Sequence, residues 1–200
     1  MGIILKWRGP LKIGNLPETD ATTAALRIGV VYIFFRCYEG GTTLVYVGKA
    51  RNFVNRLAVH YGDFLSSKAG TLYRADGSIF RSGGLPTYFH SMQNNLDETL
   101  KVAKADASLT RFIYAPLASE RLMAEVESAI MLRFERLPAT FIKWNTVPGT
   151  AMDIQMQSDH SALELNSFTS EESDRLLKMI LPVVTSLPEP FSRRATTVTP

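Results

Sequence analysis

Two hydrophobic periods alternate along the 200-residue chain, and the switches between them mark the elements. Arg27–Cys37 (RIGVVYIFFRC) is an almost unbroken run of β-branched and aromatic residues, too apolar for a strand with one wet face, and predicts a central strand. Tyr38-Glu39-Gly40-Gly41 supplies turn chemistry and Thr42–Gly48 is a second β-rich run, so the pair predicts an antiparallel hairpin. Asn52 is placed to cap a helix over Phe53–His60, in which Phe53 and Leu57 share one face and Arg56 and His60 another. Leu109–Leu117 predicts a third strand, ended by Pro116. The clearest helix is Glu120–Leu137, capped by Ser119 and stopped before Pro138, with apolar residues at 122, 123, 126, 130, 134 and 137.

The remaining segments are weaker. Residues 8–20 form a polar lead punctuated by glycine and proline, followed by a short helix through Ala21–Leu26 with Asp20 as its cap. Residues 61–90 are rich in Gly and Ser and predict an irregular insert with a small hairpin around Asp76-Gly77; an amphipathic helix follows over Asn95–Lys104. Phe141–Pro148 is an apolar run into a turn, and a last helix starts at Thr169 or Ser170, carries Glu171 and Glu172 in its first turn and ends at Pro182. The residues from about Leu187 are expected to be mobile. These elements predict one α+β domain: a small antiparallel sheet of about three strands flanked by helices. Residues 1–28 form a lead, 29–148 the core with a long insert at 61–108, and 149–200 a C-terminal extension.

Composition narrows the class without deciding it. With 46% hydrophobic and 20% charged residues the chain can bury a sizeable core. Cys37 is the only cysteine, which excludes an internal disulfide and a cysteine-rich zinc site. No run approaches the roughly 20 apolar residues of a membrane span, and MGIILKWRGP lacks the features of a signal peptide, so a cytoplasmic protein with no membrane partner is expected. The net charge of +3 is small, but its distribution is uneven. Residues 1–60 carry eight basic and three acidic side chains, residues 61–150 ten and nine, and residues 151–200 four and seven. The positive excess therefore lies around the first hairpin, where it would attract an anionic partner.

The chain has no phosphate-binding glycine loop, dinucleotide fingerprint, paired metal-ligand histidines or nucleophile elbow. What it has is a dense polar set on the hairpin and the helices: Tyr32 within the first strand, Tyr46 two residues before Gly48, Lys49 directly after it, and Arg56 and His60 on the next helix. Val30-Val31-Tyr32, then Val45-Tyr46-Val47-Gly48-Lys49-Ala50 and Arg56, resemble the GIY-YIG nuclease superfamily, named for those two strand motifs. The family pattern next asks for a helical metal-binding glutamate followed by an aliphatic pair, and for an asparagine after an aromatic residue. Glu127 with Ile130-Met131, and Trp144-Asn145, meet both requirements. The match runs over roughly residues 29–145, and the Arg-x-x-x-His spacing of Arg56 and His60 is most similar to the restriction-enzyme branch.

Helix geometry separates Glu127 from its neighbour Glu125. At about 100° per residue Glu127 falls about 80° from the centre of the apolar stripe, at the border of the core, and Glu125 about 120° away on the other side, facing solvent. A single hard carboxylate suits Mg²⁺ or Mn²⁺ that keeps several waters and is completed by a substrate phosphate. The resemblance implies metal-dependent hydrolysis of DNA phosphodiesters. Tyr32 or Tyr46, with Lys49 or His60, would activate the attacking water, Arg56 would hold the scissile phosphate, and Asn145 would orient groups at the edge. A sequence-specific type II restriction endonuclease on double-stranded DNA is the favoured reading, and a homodimer fits a palindromic target. Its rivals are a repair or mobile-element nuclease nicking structured DNA, and a non-catalytic DNA-binding or protein-interaction module that retains the fold. The insert, with Lys68, Arg74 and Arg81 interleaved with Tyr73 and Tyr88, is the expected groove-reading element.

Overall fold

A computed structural model describes residues 2–12, 26–39, 41–65, 71–83, 85–135, 137–143 and 155–180. The first hairpin forms as its pattern requires: β3 (Val30–Cys37) pairs antiparallel with β4 (Thr43–Ala50), Val30 opposite Ala50 and Cys37 opposite Thr43. Its other edge pairs antiparallel with β7 (Arg111–Pro116). Every residue of β3 but Cys37 is buried, as a strand covered on both faces must be.

Two further strands widen this trio to a five-stranded sheet of order β2-β7-β3-β4-β8. β8 (Phe141–Lys143) runs parallel to β4. β2 (Arg8–Lys12) is antiparallel to β7 and lies in the segment read as a polar lead punctuated by glycine and proline. Gly9 and Pro10 argue against a strand interior, and they are accommodated because β2 is an edge strand whose register shifts between Arg8 and Leu11. At Gly9, with φ +115°, an added Cβ would stand 2.7 Å from the Phe112 carbonyl oxygen. A separate parallel pair joins β1 (Gly2–Lys6) to β9 (Gln155–Asp159) and so ties the two ends of the described chain together.

The helices cover both sheet faces. Val31, Ile33 and Phe35 of β3, with Val45 and Val47 of β4, pack on α4 (Glu120–Phe134) through Met123, Val126, Ile130 and Phe134. The same core takes Leu5, Trp7, Met156, Phe168 and Leu176, so the C-terminal segment with α5 (Ser170–Ile180) is built into the domain core. Alternation along β3 sends Val30, Tyr32 and Phe34 to the opposite face, against Phe53 and Leu57 of α1 (Phe53–Leu65) and Ala107 of α3 (Leu96–Ser108). α4 starts as expected, its Ser119 hydroxyl accepting from the Leu122 N–H at 3.3 Å, but ends at Phe134, three residues before Leu137. Thr169 and Glu172 cap α5 reciprocally, at 3.2 and 3.0 Å.

The stretch expected to be irregular is more ordered than its composition implies. α1 continues past His60 to Leu65, and a hairpin of β5 (Leu72–Tyr73) and β6 (Ile79–Arg81) turns through Gly77 at φ +84°. α2 (Leu85–Asn94) then leads directly into α3. Glycine and serine between the elements mask α2, which packs on α3, and α3 in turn packs on α1. The expected helix at 21–26 lies mostly, and the end beyond 187 wholly, outside the described residues. Among the described residues no helix is long and apolar enough to cross a membrane.

Candidate active site

The β3–β4 register sets Tyr32 directly opposite Gly48 and Phe34 opposite Tyr46, so both tyrosines project from the α1 face of the sheet. A Cβ at Gly48 would stand 2.5 Å from Tyr32 Cζ and 2.7 Å from Tyr46 Cε1. The glycine after the second tyrosine is therefore demanded by the two rings that converge over it. Tyr46 stacks on Phe34 with centroids 4.8 Å apart, and Tyr32 leans on Phe53 at 5.3 Å. Tyr32 is wholly buried, while Tyr46 is only half-buried.

α1 brings the two polar residues of its sheet-facing side onto these rings. Asn52 accepts the Asn55 N–H at 3.2 Å, which caps the helix, and the next turn presents Arg56. Arg56 donates from Nε to the Tyr32 hydroxyl at 2.9 Å and from Nη2 to the Tyr46 hydroxyl at 3.2 Å. One turn later His60 Nε2 lies 2.8 Å from the Tyr32 hydroxyl, with its ring edge-on to Tyr32, Phe34 and Tyr46. Burial, then the positive charges of Arg56 and Arg36, push the His60 imidazole down to about 3. Near neutral pH it is uncharged, and in the Nδ1–H tautomer its Nε2 accepts a hydrogen bond from the Tyr32 hydroxyl. Burial also raises the Tyr32 phenol well above its ordinary value, with Arg56 opposing that rise.

Lys49 alternates with Gly48 and so points to the other face of the sheet, where its ammonium pairs with Glu127 of α4. Two residues on, Arg51 pairs with Glu120 at the start of α4. The expected site residues thus divide into a tyrosine–arginine–histidine group on the α1 face of β4 and a lysine–glutamate pair on its α4 face. The contrast drawn between Glu125 and Glu127 by exposure fails. Their side chains are 19% and 16% exposed, because Glu125 lies back along its own helix onto Arg121 at 2.8 Å. What separates them is direction, since Glu127 faces the motif strand and Glu125 does not. Among the described residues no group of three or more His, Cys, Asp or Glu is arranged to hold a metal. Glu127, with Oε2 engaged by Lys49, fits a hard divalent ion only as a single oxygen ligand to an otherwise hydrated ion.

No family model, curated protein or solved structure matches the chain.

Asn145 and Lys68 lie outside the described residues. Arg81 is 6% exposed and Tyr73 equally buried, so neither faces a groove: β6 turns Arg81 inward, and Tyr73 packs on Tyr38 at 5.4 Å. Arg74 is exposed and lies over the Phe80 ring at 4.9 Å, and Tyr88 sits in α2. Tyr38 belongs to a buried network that the hydrophobic pattern did not reveal. Arg36, wholly buried on the Tyr32 face of β3, bonds Asp106 of α3 at 2.6 Å and the Thr110 hydroxyl at 2.7 Å, and the Tyr38 hydroxyl donates to Asp106 at 3.0 Å. The available signal was a lone arginine inside the apolar run VVYIFFRC.

Proposed function

We propose that this protein is a divalent-metal-dependent DNA endonuclease built on a GIY-YIG-type core, acting as a sequence-specific type II restriction enzyme. The antiparallel trio β7-β3-β4, with α1 and α4 on its two faces, supports the core assignment. The observation that carries the activity is the guanidinium of Arg56. Two tyrosine hydroxyls accept from its Nε and Nη2, and neither bond uses Nη1. A rigid fork held in this way is a preorganised site for a phosphate, and its charge strengthens binding as negative charge grows on the non-bridging oxygens in the transition state.

Each neighbour then has a distinct task. Tyr46, the half-exposed tyrosine, orients the attacking water. Tyr32, wholly buried, positions Arg56 and does not reach substrate. His60 is a poor proton acceptor at neutral pH because its imidazole is held down near 3, so it serves by fixing Tyr32. Glu127 would hold a magnesium or manganese ion, which when bound supplies Lewis-acid stabilisation of charge on the phosphate and the departing 3′ oxygen. Lys49 sets the direction of that carboxylate and adds a cation beside it.

The experiment is incubation of the full chain with a panel of palindromic and branched duplexes in Mg²⁺, with Glu127→Ala alongside. Cutting at one palindromic sequence by the wild type alone supports the reading, and cutting confined to branched substrates replaces it with a structure-directed nuclease. DNA binding without cutting under any ion turns the protein into a binding module.

A further inference from the structure

The Lys49–Glu127 pair is one rung of a ladder. Lys49, in the last two residues of β4, and Arg51, just past its end, stand two apart, and their partners Glu127 and Glu120 stand seven apart, on one face of α4. The two rungs differ in exposure: the outer pair, Arg51 with Glu120, has side chains 76% and 56% exposed. An ion pair so open to water holds weakly, so a competing anion displaces the carboxylate at little cost. Glu120 also lies in the first turn of α4, where the helix dipole stabilises its charge after release. The guanidinium it releases matches a phosphate in a bidentate fork better than an ammonium would. Two residues of chain span at most about 7 Å, within the range of phosphates one or two steps apart on a DNA strand, which rise about 3.4 Å each.

From the ladder of Lys49 and Arg51 on Glu127 and Glu120, we infer that Arg51 is a second phosphate-binding residue: it exchanges Glu120 for a backbone phosphate flanking the one at the proposed active site. Glu120 is then an internal stand-in for that phosphate, which lowers the affinity for DNA until both sites are engaged. This inference rests on the DNA reading above and adds the strand contact that the buried Arg81 cannot provide.

The test is equilibrium binding of the full chain to a fluorescent duplex, followed by anisotropy without divalent ions, so that cleavage does not enter. Over a fourfold rise in salt, from about 50 to 200 mM, the wild type should lose about 3.5-fold more affinity than Arg51→Ala, the effect of one phosphate contact. Glu120→Gln should tighten binding in the wild type and leave it unchanged in Arg51→Ala. The inference is overturned if Arg51→Ala keeps the wild-type salt slope, or if Glu120→Gln tightens binding equally in both backgrounds, while wild-type binding to DNA leaves the parent reading standing. Absence of any DNA binding by the wild type overturns both.

Discussion

Replacing Gly48 by alanine tests the packing that places both tyrosines. The new Cβ would meet Tyr32 Cζ at 2.5 Å and Tyr46 Cε1 at 2.7 Å, against the roughly 3.5–4.0 Å of ordinary carbon contact, so each overlap is about 1 Å. Both rings are held where they are by their partners. Tyr32 is fully buried, bonded to Arg56 at 2.9 Å and to His60 at 2.8 Å, and Tyr46 is stacked on Phe34. Overpacking of this kind costs about 1–3 kcal/mol. For a chain of this size each kcal/mol lowers Tm by about 2–4 °C, so thermal unfolding followed by circular dichroism should show a fall of about 2–12 °C. Gly62 is the internal control. It lies on α1 with nothing within 4 Å of an added Cβ, so Gly62→Ala should stabilise by about 0.8–1 kcal/mol through helix propensity. Tyr32→Phe in the Gly48→Ala background removes the hydroxyl but leaves the ring carbon at 2.5 Å, and should not rescue it. A Gly48→Ala protein as stable as wild type would refute the steric reasoning, and with it the convergence of the two rings.

Three other outcomes follow from the same contacts. His60 has its folded pKa depressed to about 3, so the unfolded chain binds the extra proton first; stability should fall as pH drops from about 6.5 towards 3, by at most about 1.4 kcal/mol per unit from this group. Imidazole resonances distinguish it from His90 and His160, and a His60 that titrates near 6.5 in the folded protein would contradict the buried acceptor role. Tyr32→Phe leaves Arg56 Nε and His60 Nε2 without their shared partner and should cost about 1–3 kcal/mol in denaturant unfolding, while a neutral result would remove the hydroxyl from the network. Arg36→Met alone strands the Asp106 carboxylate and should cost about 3–5 kcal/mol, whereas Arg36→Met with Asp106→Leu should recover most of it; equal losses would mean that the pair is not the source of the penalty.

The parts legible in the sequence were those in which one local rule acts alone. The all-apolar run of β3, the hairpin turn, the Asn52 and Ser119 caps and the spacing of Tyr46, Gly48 and Arg56 all depend on near neighbours, and the structure places them as the pattern implies. The parts that escaped depend on distant partners. β2 carries glycine and proline and is a strand only because β7 offers an edge, and β1 exists only with β9, more than 150 residues away. The split of Tyr46 from Lys49 follows from strand alternation alone, but that a separate helix covers each face of β4, α1 over Tyr46 and α4 over Lys49, appears only in the fold. Arg81 looked like a surface cation because serine and two glycines follow it, but its place in β6, opposite Leu72, leaves it buried.

The tyrosine–arginine–histidine group and the lysine–glutamate pair, on opposite faces of β4, are proposed to act on one phosphate. A double-mutant cycle of single-turnover DNA cleavage in Mg²⁺ measures this with wild type, Arg56→Ala, Glu127→Gln and the double variant. Each single change should slow cleavage by about 10²–10³-fold, and the double variant should be little slower than the worse single one, as residues that act as a unit behave. Full additivity of the two losses, unchanged rates in either single variant, or no cleavage by the wild type would contradict it.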